Sequence, residues 1–310
     1  HVNSFLQDCQ LADNTPVLVS RIPRATSHNE RLTLTREVLQ NEMPDWVSLH
    51  YVPYSFNPKG MPFWFPNFLK KIKGSHKWHI MFHELWIGIE ASSSYKSSLI
   101  GFLQSKLTVK LIKTLGESVI NTHTYIYKRK LEHFGFRVKL LPLYSNIGRE
   151  PFLSNKTNNG NEKVMQIALF GGIHPNAPIQ EFIQALNSSI LKLNKDILLK
   201  FVFMGNCGNE IEKWKTVLED YNISYRVEGF CEDKKISKLL NESNFGITTT
   251  PYLLAQKGSS IATMLHHELP IICVSKKWEV IGVNPDEEVD LPNITFFAGK
   301  SSVQRFLSTK

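Results

Sequence analysis

Lys257, Gly258, Ser259 and Ser260 stand where a loop meets a short apolar helix. They belong to the stretch Phe245 to Cys273, which reads as a buried strand, a loop, a helix and a second buried strand opened by Pro270. A Gly-Ser-Ser turn that opens a helix leaves backbone N–H groups without intrahelical partners, pointing outward at the positive end of the helix dipole. With the Lys257 ammonium one residue before it, the turn suits an anion such as phosphate. The same residues also suit an ordinary turn with small capping residues. Gly171-Gly172-Ile173-His174 follows another apolar run, and its glycines let a phosphate approach the backbone. His174 either donates a hydrogen bond to that phosphate or caps the next helix with Asn176. His83 ends the strand-like run HIMFHE, where a His near neutral pKa can orient or deprotonate a hydroxyl. Glu84 beside it tunes or replaces that role. The plain alternative for His83 is a structural hydrogen bond at a strand end.

These groups are positioned by two α/β halves. In the first, strands are expected at Thr15–Ile22, Trp46–Val52, His79–Glu84, Ser118–Thr124 and Val138–Leu143, with helices at Glu30–Glu42, Ser93–Leu115 and Tyr125–Phe134. In the second, strands are expected at Val164–Gly171, Leu199–Gly205, Ile223–Gly229, Phe245–Pro251, Pro270–Val274 and Thr295–Ala298. The intervening helices fall at Ala177–Leu193, Asn209–Asp220, Asp233–Ser243, Ser259–His267 and Ser301–Leu307. Alternating strands and helices imply parallel sheets between helical layers. The polar, Asn-rich segment Arg149 to Lys163 reads as a linker, dividing residues 1–150 from 151–310. Loops at the C-terminal strand ends are where open α/β sheets bind ligands.

Composition narrows the class. A chain of 310 residues suits two α/β domains, and 42% hydrophobic with 21% charged residues is ordinary for a soluble globular protein. Cys9, Cys207, Cys231 and Cys273 have no C-x-x-C spacing, so a reduced, cytoplasmic protein without disulfide framework or zinc site is expected. No apolar run is long enough for a transmembrane helix, and no signal peptide is visible. Residues 1–155 hold 19 Lys and Arg against 11 Asp and Glu, whereas residues 156–310 hold 17 of each. The whole +8 excess therefore lies in the first half, which suits an anionic membrane surface, an anionic lipid-linked acceptor or nucleic acid. Surface charge kept for solubility is the alternative. Met61 to Lys73 places Phe63, Trp64, Phe65 and Phe68 before Lys70, Lys71 and Lys73, the pattern of an interfacial anchor or of aromatics packed under a loop. The Ser93–Leu115 helix, with Lys96, Lys106, Lys110 and Lys113, either extends that basic side or mainly packs the core. The basic residues are not gathered in a nucleic-acid-binding motif, so no nucleic-acid partner is expected.

Several segments, in order, resemble the GT-B glycosyltransferases, particularly glycosyltransferase family 4. HVNSFLQDCQLADNTPVLVS, SLHYVPYSFNPKGMP, HIMFHELWIG and SVINTHTYIYKRKLEHFGFRVKLLPLYSNI resemble pieces of the acceptor domain; ALFGGIHPNAPIQEFIQAL and FVFMGN resemble the start of the donor domain. The resemblance implies two Rossmann-like domains with parallel sheets facing across a cleft. The N-terminal domain would hold the acceptor and the C-terminal domain a nucleotide-sugar. Donor diphosphate would lie at Lys257, Gly258, Ser259 and Ser260, and Gly171, Gly172 and His174 would face it. Gly229-Phe230-Cys231 would frame the nucleobase, although Phe230 equally suits a core aromatic. His83 would be the cleft His. The resemblance implies that the first strand and its Gly-rich loop would lie before His1, and the closing C-terminal helices would be short or absent after Lys310, so the given sequence would be incomplete at both ends.

The chain also departs from the family. Its usual pair of Glu residues falls, by alignment on Leu269-Pro270, at Ala255 and Thr263, so Thr263 would meet the donor in place of a carboxylate. Glu268 falls at the far end of the helix, and His174 stands nearest the family's usual Arg. The expected function is metal-independent sugar transfer from a nucleotide-sugar to a hydroxyl acceptor, a glycan or lipid-linked glycan, in surface polysaccharide or glycolipid synthesis. No cofactor is expected, and peripheral attachment to the inner face of a membrane goes with the basic half. The alternative is a GT-B-like protein that binds a nucleotide or a partner without transferring sugar.

Overall fold

A computed structural model of the chain describes residues 9–10, 16–17, 19–23, 25–151, 163–193, 197–282 and 291–308. Most of the expected linker at Arg149–Lys163 lies outside these residues, as do Thr15 and Leu18 of the first expected strand. What is described there is β1 (Cys9–Gln10) paired antiparallel with β2 (Pro16–Val17). The remaining strands form a four-stranded sheet of order β3-β4-β5-β6 and a six-stranded sheet of order β12-β11-β10-β7-β8-β9. By compactness the chain divides into His1–Gly88 with Ser93–Asn121, and Ile89–Ser92 with Thr122–Lys310.

The first unit runs α1 (His28–Glu42), β3 (Trp46–Tyr51), α2 (Pro53–Phe56), α3 (Phe65–Ile72), β4 (Lys77–Phe82), α4 (Tyr95–Leu115) and most of β5 (Ser118–Thr122). Alternation sets the faces of β3 and β4, which pair in parallel with Ser48 beside His79. Tyr51, Trp78, Ile80 and Phe82 turn into the core, while Trp46, Ser48, His50 and Lys77 turn outward. Met61–Lys73 is not a free aromatic anchor. Phe65 is buried in a stack with Tyr51, Phe56 and Phe68, and Trp64 packs edge-on against Phe65 and Phe68. Pro66 in the first turn starts α3, which buries Phe65, Leu69 and Ile72 and leaves Phe63 outside the helix as the exposed member of the four aromatics.

The second unit adds α5 (Tyr125–Glu132), β6 (Val138–Leu140), β7 (Lys163–Phe170), α6 (Ile179–Leu193), β8 (Ile197–Met204), α7 (Ile211–Asp220), β9 (Ser224–Gly229), α8 (Asp233–Asn241) and β10 (Phe245–Thr248). A 3-10 turn (Tyr252–Lys257), α9 (Ser259–His266), β11 (Ile271–Cys273), β12 (Ile294–Phe296) and α10 (Lys300–Ser308) follow. All neighbours in the six-stranded sheet are parallel. Both faces are covered, so successive residues enter different cores. Ile167, Leu169, Phe201, Phe203 and Ile272 join one with Phe182 and Trp214. Ala168, Val202, Met204, Ile271 and Cys273 join the other with Leu239, Ile261 and Met264. Gly246 lets α9 lie close on β10, since a Cβ there would come 2.5 Å from Met264 Sδ.

Candidate functional site

In the six-stranded sheet, successive connections run one way from β7 through β8 to β9 and the other way from β10 through β11 to β12. The reversal point therefore lies between β7 and β10, and the crevice outside their C-terminal ends is where such sheets take ligands. The loops there are tied together. Thr249, just after β10, accepts the His174 backbone N–H at 2.8 Å, and its hydroxyl donates to the Gly172 carbonyl at 3.4 Å. Gly171 has φ +95°, and a Cβ on it would lie 3.2 Å from Ser260 Oγ. The positive φ of this turn favours glycine, and its lack of a side chain eases the approach of the first turn of α9.

Gly258 is the N-cap of α9, and no side chain caps this end of the helix. Its first-turn N–H groups are accordingly oriented donors at the positive end of the dipole. Ser259 is exposed and Ser260 half-buried. Lys257 ends the preceding 3-10 turn, with Nζ 3.4 Å from Tyr127 Oη and 5.6 Å from that ring's centroid. The turn itself is moored where Gln256 Oε1 accepts the Tyr125 N–H at 2.9 Å, at the start of α5. Although the His174 ring is exposed, partial desolvation first, and then the charge of Lys257, hold its pKa below the ordinary value. One cation, Lys257, and a neutral imidazole thus stand by one uncapped helix end.

The remaining donor-side residues sit differently. Thr263 is buried, donates to the Ser259 carbonyl at 3.0 Å and lies 3.1 Å from Ser145 Oγ, inside the helix packing rather than in the crevice. Phe230 and Cys231 follow β9 at the sheet's edge, two strands beyond β7; Phe230 is 87% exposed and Cys231 is half-buried. The Gly205 N–H to Gly229 carbonyl bond, 2.7 Å, joins the ends of β8 and β9. Thr249, Tyr127 and Gln256 were not singled out from the sequence. Their roles come from pairings 75 to 131 residues away along the chain, which leave no local pattern.

In the first unit, His83 follows β4 and is half-buried. Its Nε2 lies 2.8 Å from His50 Nδ1 at the end of β3, with the rings stacked 5.1 Å apart. Such a bond holds when one of the two facing nitrogens carries a proton and the other does not, so the tautomers of the two rings are coupled. His79, a pleat earlier, is bonded to Ser48 Oγ at 2.8 Å and to Asn121 Oδ1 at 3.1 Å; desolvation chiefly lowers its pKa. Glu84 is half-buried beside His83. Among the described residues no group of three or more His, Cys, Asp and Glu is arranged to hold a metal ion.

No protein-family model matches the sequence, and no curated protein matches it. Solved structures do share its fold. A Listeria monocytogenes protein assigned as a UDP-N-acetylglucosamine 2-epimerase aligns with 96% of this chain and 74% of its own, at 12% identity and a TM-score of 0.51. HepE of Anabaena, solved with UDP and glucose, aligns with 91% of this chain and 73% of its own, at 11% identity and a TM-score of 0.49. TarM aligns with 90% of this chain at 12% identity and a TM-score of 0.48; the chain spans 51% of TarM's length. At these identities the likeness concerns architecture. The chain has an α/β fold of the GT-B class, with two parallel-strand sheets.

Proposed function

We propose that this protein transfers a sugar from a nucleotide-sugar donor to a hydroxyl acceptor, in the manner of the family 4 glycosyltransferases its sequence resembles. The observation that carries the reading is the meeting of the Gly171–His174 loop, Thr249 and the uncapped start of α9 at the sheet's reversal point. Oriented N–H groups, the helix dipole and Lys257 favour a diphosphate in one small volume. As the bond between the sugar's anomeric carbon and the diphosphate oxygen breaks, the charge left on that oxygen is what these groups stabilise. The acceptor oxygen forms the new bond to the anomeric carbon and gives up its proton, for which His83 is the base, with His50 hydrogen-bonded to its ring. The helix end and Lys257 carry the leaving charge, so the reading invokes no metal. The acceptor would be a glycan or lipid-linked glycan, met by a cytoplasmic protein at the membrane face.

A second reading, nucleotide binding without transfer, has its own support. Ala255 and Thr263 occupy the places of the family's Glu pair, both are buried, and Tyr252 to His267 contains no carboxylate. Thermal shift against UDP, GDP, ADP and CMP sugars, followed by product analysis of the matching donor, separates the two. Transfer predicts that one nucleotide class stabilises the protein and that its sugar is released or moved. Stabilisation with an unconsumed donor supports the second reading, and a donor converted to its epimer points to different chemistry. No stabilisation by any nucleotide sinks both.

A further inference from the structure

The rotation of α4 about its axis is set at one residue. A Cβ at Gly101 would lie 1.9 Å from the Ile87 carbonyl oxygen, so only glycine allows the helix to sit where it does. On the same side Gln104 is 2% exposed, accepting the Ile87 N–H at 3.0 Å and donating to the Lys59 carbonyl at 3.1 Å. Ser105 and Thr108 are buried there too. Gln104, Ser105 and Thr108 thus face inward beside Leu107, Leu111, Ile112 and Leu115, and an outer stripe remains. Tyr95 is 97% exposed, Leu99 63%, Phe102 55% and Leu103 40%. At helical spacing the stripe continues through Lys106, Lys110 and Lys113, all exposed. Lys70 of α3 faces these three lysines across a shallow groove of about 500 Å³, lined also by Val109 and Thr114. Neither α3 nor α4 contains an acidic residue, and among the described residues no ion pair joins any of these four lysines to a carboxylate.

We propose that this outer face of α4, with Lys70 beside it, docks on an anionic lipid surface. The stripe from Tyr95 to Lys113 is roughly 27 Å long at 1.5 Å per residue, so α4 would lie along the membrane plane. Tyr95, Leu99 and Phe102 enter the boundary between headgroups and acyl chains. The lysine stems cover apolar surface while their ammonium groups meet lipid phosphates. A second copy seated symmetrically on the same face would bring the lysine clusters together, which charge opposes. A phosphate backbone alone would leave the leucine and phenylalanine side chains in water. The surface does not depend on the donor site.

Vesicle flotation tests it. The protein should float with phosphatidylcholine vesicles containing phosphatidylglycerol and stay behind with phosphatidylcholine alone. Binding should weaken with salt, because exposed charges are screened. At roughly fivefold per lysine, Lys106→Gln, Lys110→Gln and Lys113→Gln together should weaken binding about 100-fold. Leu99→Glu with Phe102→Glu should abolish it. All these side chains are exposed, so circular dichroism should show the native fold in each variant. Absence of wild-type binding at low salt, equal binding to neutral vesicles, or unchanged binding by both variants would overturn the proposal. So would a dimer that only the Leu99/Phe102 variant dissociates. Nucleotide affinity should be unchanged in every variant, and a wild-type protein that floats but binds no nucleotide would tell against the transfer reading alone.

Discussion

Lys257 and His174 approach the start of α9 from different elements, and each makes a separate prediction. The Lys257 ammonium is braced by Tyr127, so it reaches an anion from a partly ordered position. Lys257→Ala should weaken binding of the matching nucleoside diphosphate by about 1.5–3 kcal/mol, one to two decades by calorimetry. Ser259→Pro should do more harm, because it reshapes the first turn of α9 and removes an N–H. Unchanged affinity in both would move the donor elsewhere. His174 predicts a pH effect. Its pKa is lowered in the free protein by desolvation and by Lys257, and a bound diphosphate would raise it. Protons are then taken up on binding, and affinity should rise as pH falls below neutrality. The nucleotide's own phosphate titrates nearby, so His174→Gln is the control: the two profiles should differ if His174 contacts the phosphate, and coincide if it only caps α6. In the other unit, His83→Ala should lower turnover by about 10²-fold with donor affinity unchanged, and His50→Ala should displace the pH profile of turnover.

At the scale of elements, glycines set the placement of two helices. Gly101→Ala forces a methyl group into the Ile87 carbonyl, a backbone atom that cannot step aside cheaply. It should cost about 1–3 kcal/mol, read as a lower melting temperature. A melting curve superimposable on the wild type would mean that α4 can rotate, and with it the outer stripe. The expected strands and helices from Trp46 onward are found, with ends moved by a few residues. Hydrophobic alternation and turn residues are local signals, and a doubly covered parallel sheet reinforces them. Of the two readings of Met61–Lys73, aromatics packed under a loop is the one the stack with Tyr51 and Phe56 supports, because the density of aromatics is visible in the sequence and their partners are not. For α4 both readings hold in part, since Leu107, Leu111, Ile112 and Leu115 are buried while Leu99, Phe102 and the lysines are exposed.

For the molecule as a whole, stability should depend on pH through His267. This imidazole is buried, with Nδ1 2.8 Å from the Thr263 carbonyl and Nε2 2.8 Å from Ser237 Oγ. The carbonyl can only accept, so Nδ1 carries the proton and Nε2 accepts from Ser237, whose oxygen also accepts the Glu150 N–H at 2.8 Å. One neutral histidine thus joins α9, α8 and the segment after β6. Burial, as the largest cause, lowers its pKa. A base with a folded pKa below its unfolded one contributes stability at higher pH, and loses it as pH falls through the unfolded value, because the unfolded chain takes up the proton. The melting temperature should fall between about pH 7.5 and about pH 5, and His267→Gln should start lower at neutral pH but vary less with pH. An equally steep dependence in the variant would place the acid-sensitive group elsewhere.

The amino-acid sequence by itself determined the alternation of strands and helices, the small residues that open α9, and the concentration of excess positive charge in the first half. Each is a property of neighbouring residues and survives without knowledge of the fold. Only the tertiary structure decided which side of α4 is buried, because that depends on Gly101 meeting a carbonyl 14 residues earlier. It also decided that His83 stacks on His50, that Thr249 holds the loop carrying His174, and that Thr263 points into the packing beneath α9. These contacts join residues far apart in the chain, and a pairing of that kind is set by how elements pack rather than by the local spacing of residues.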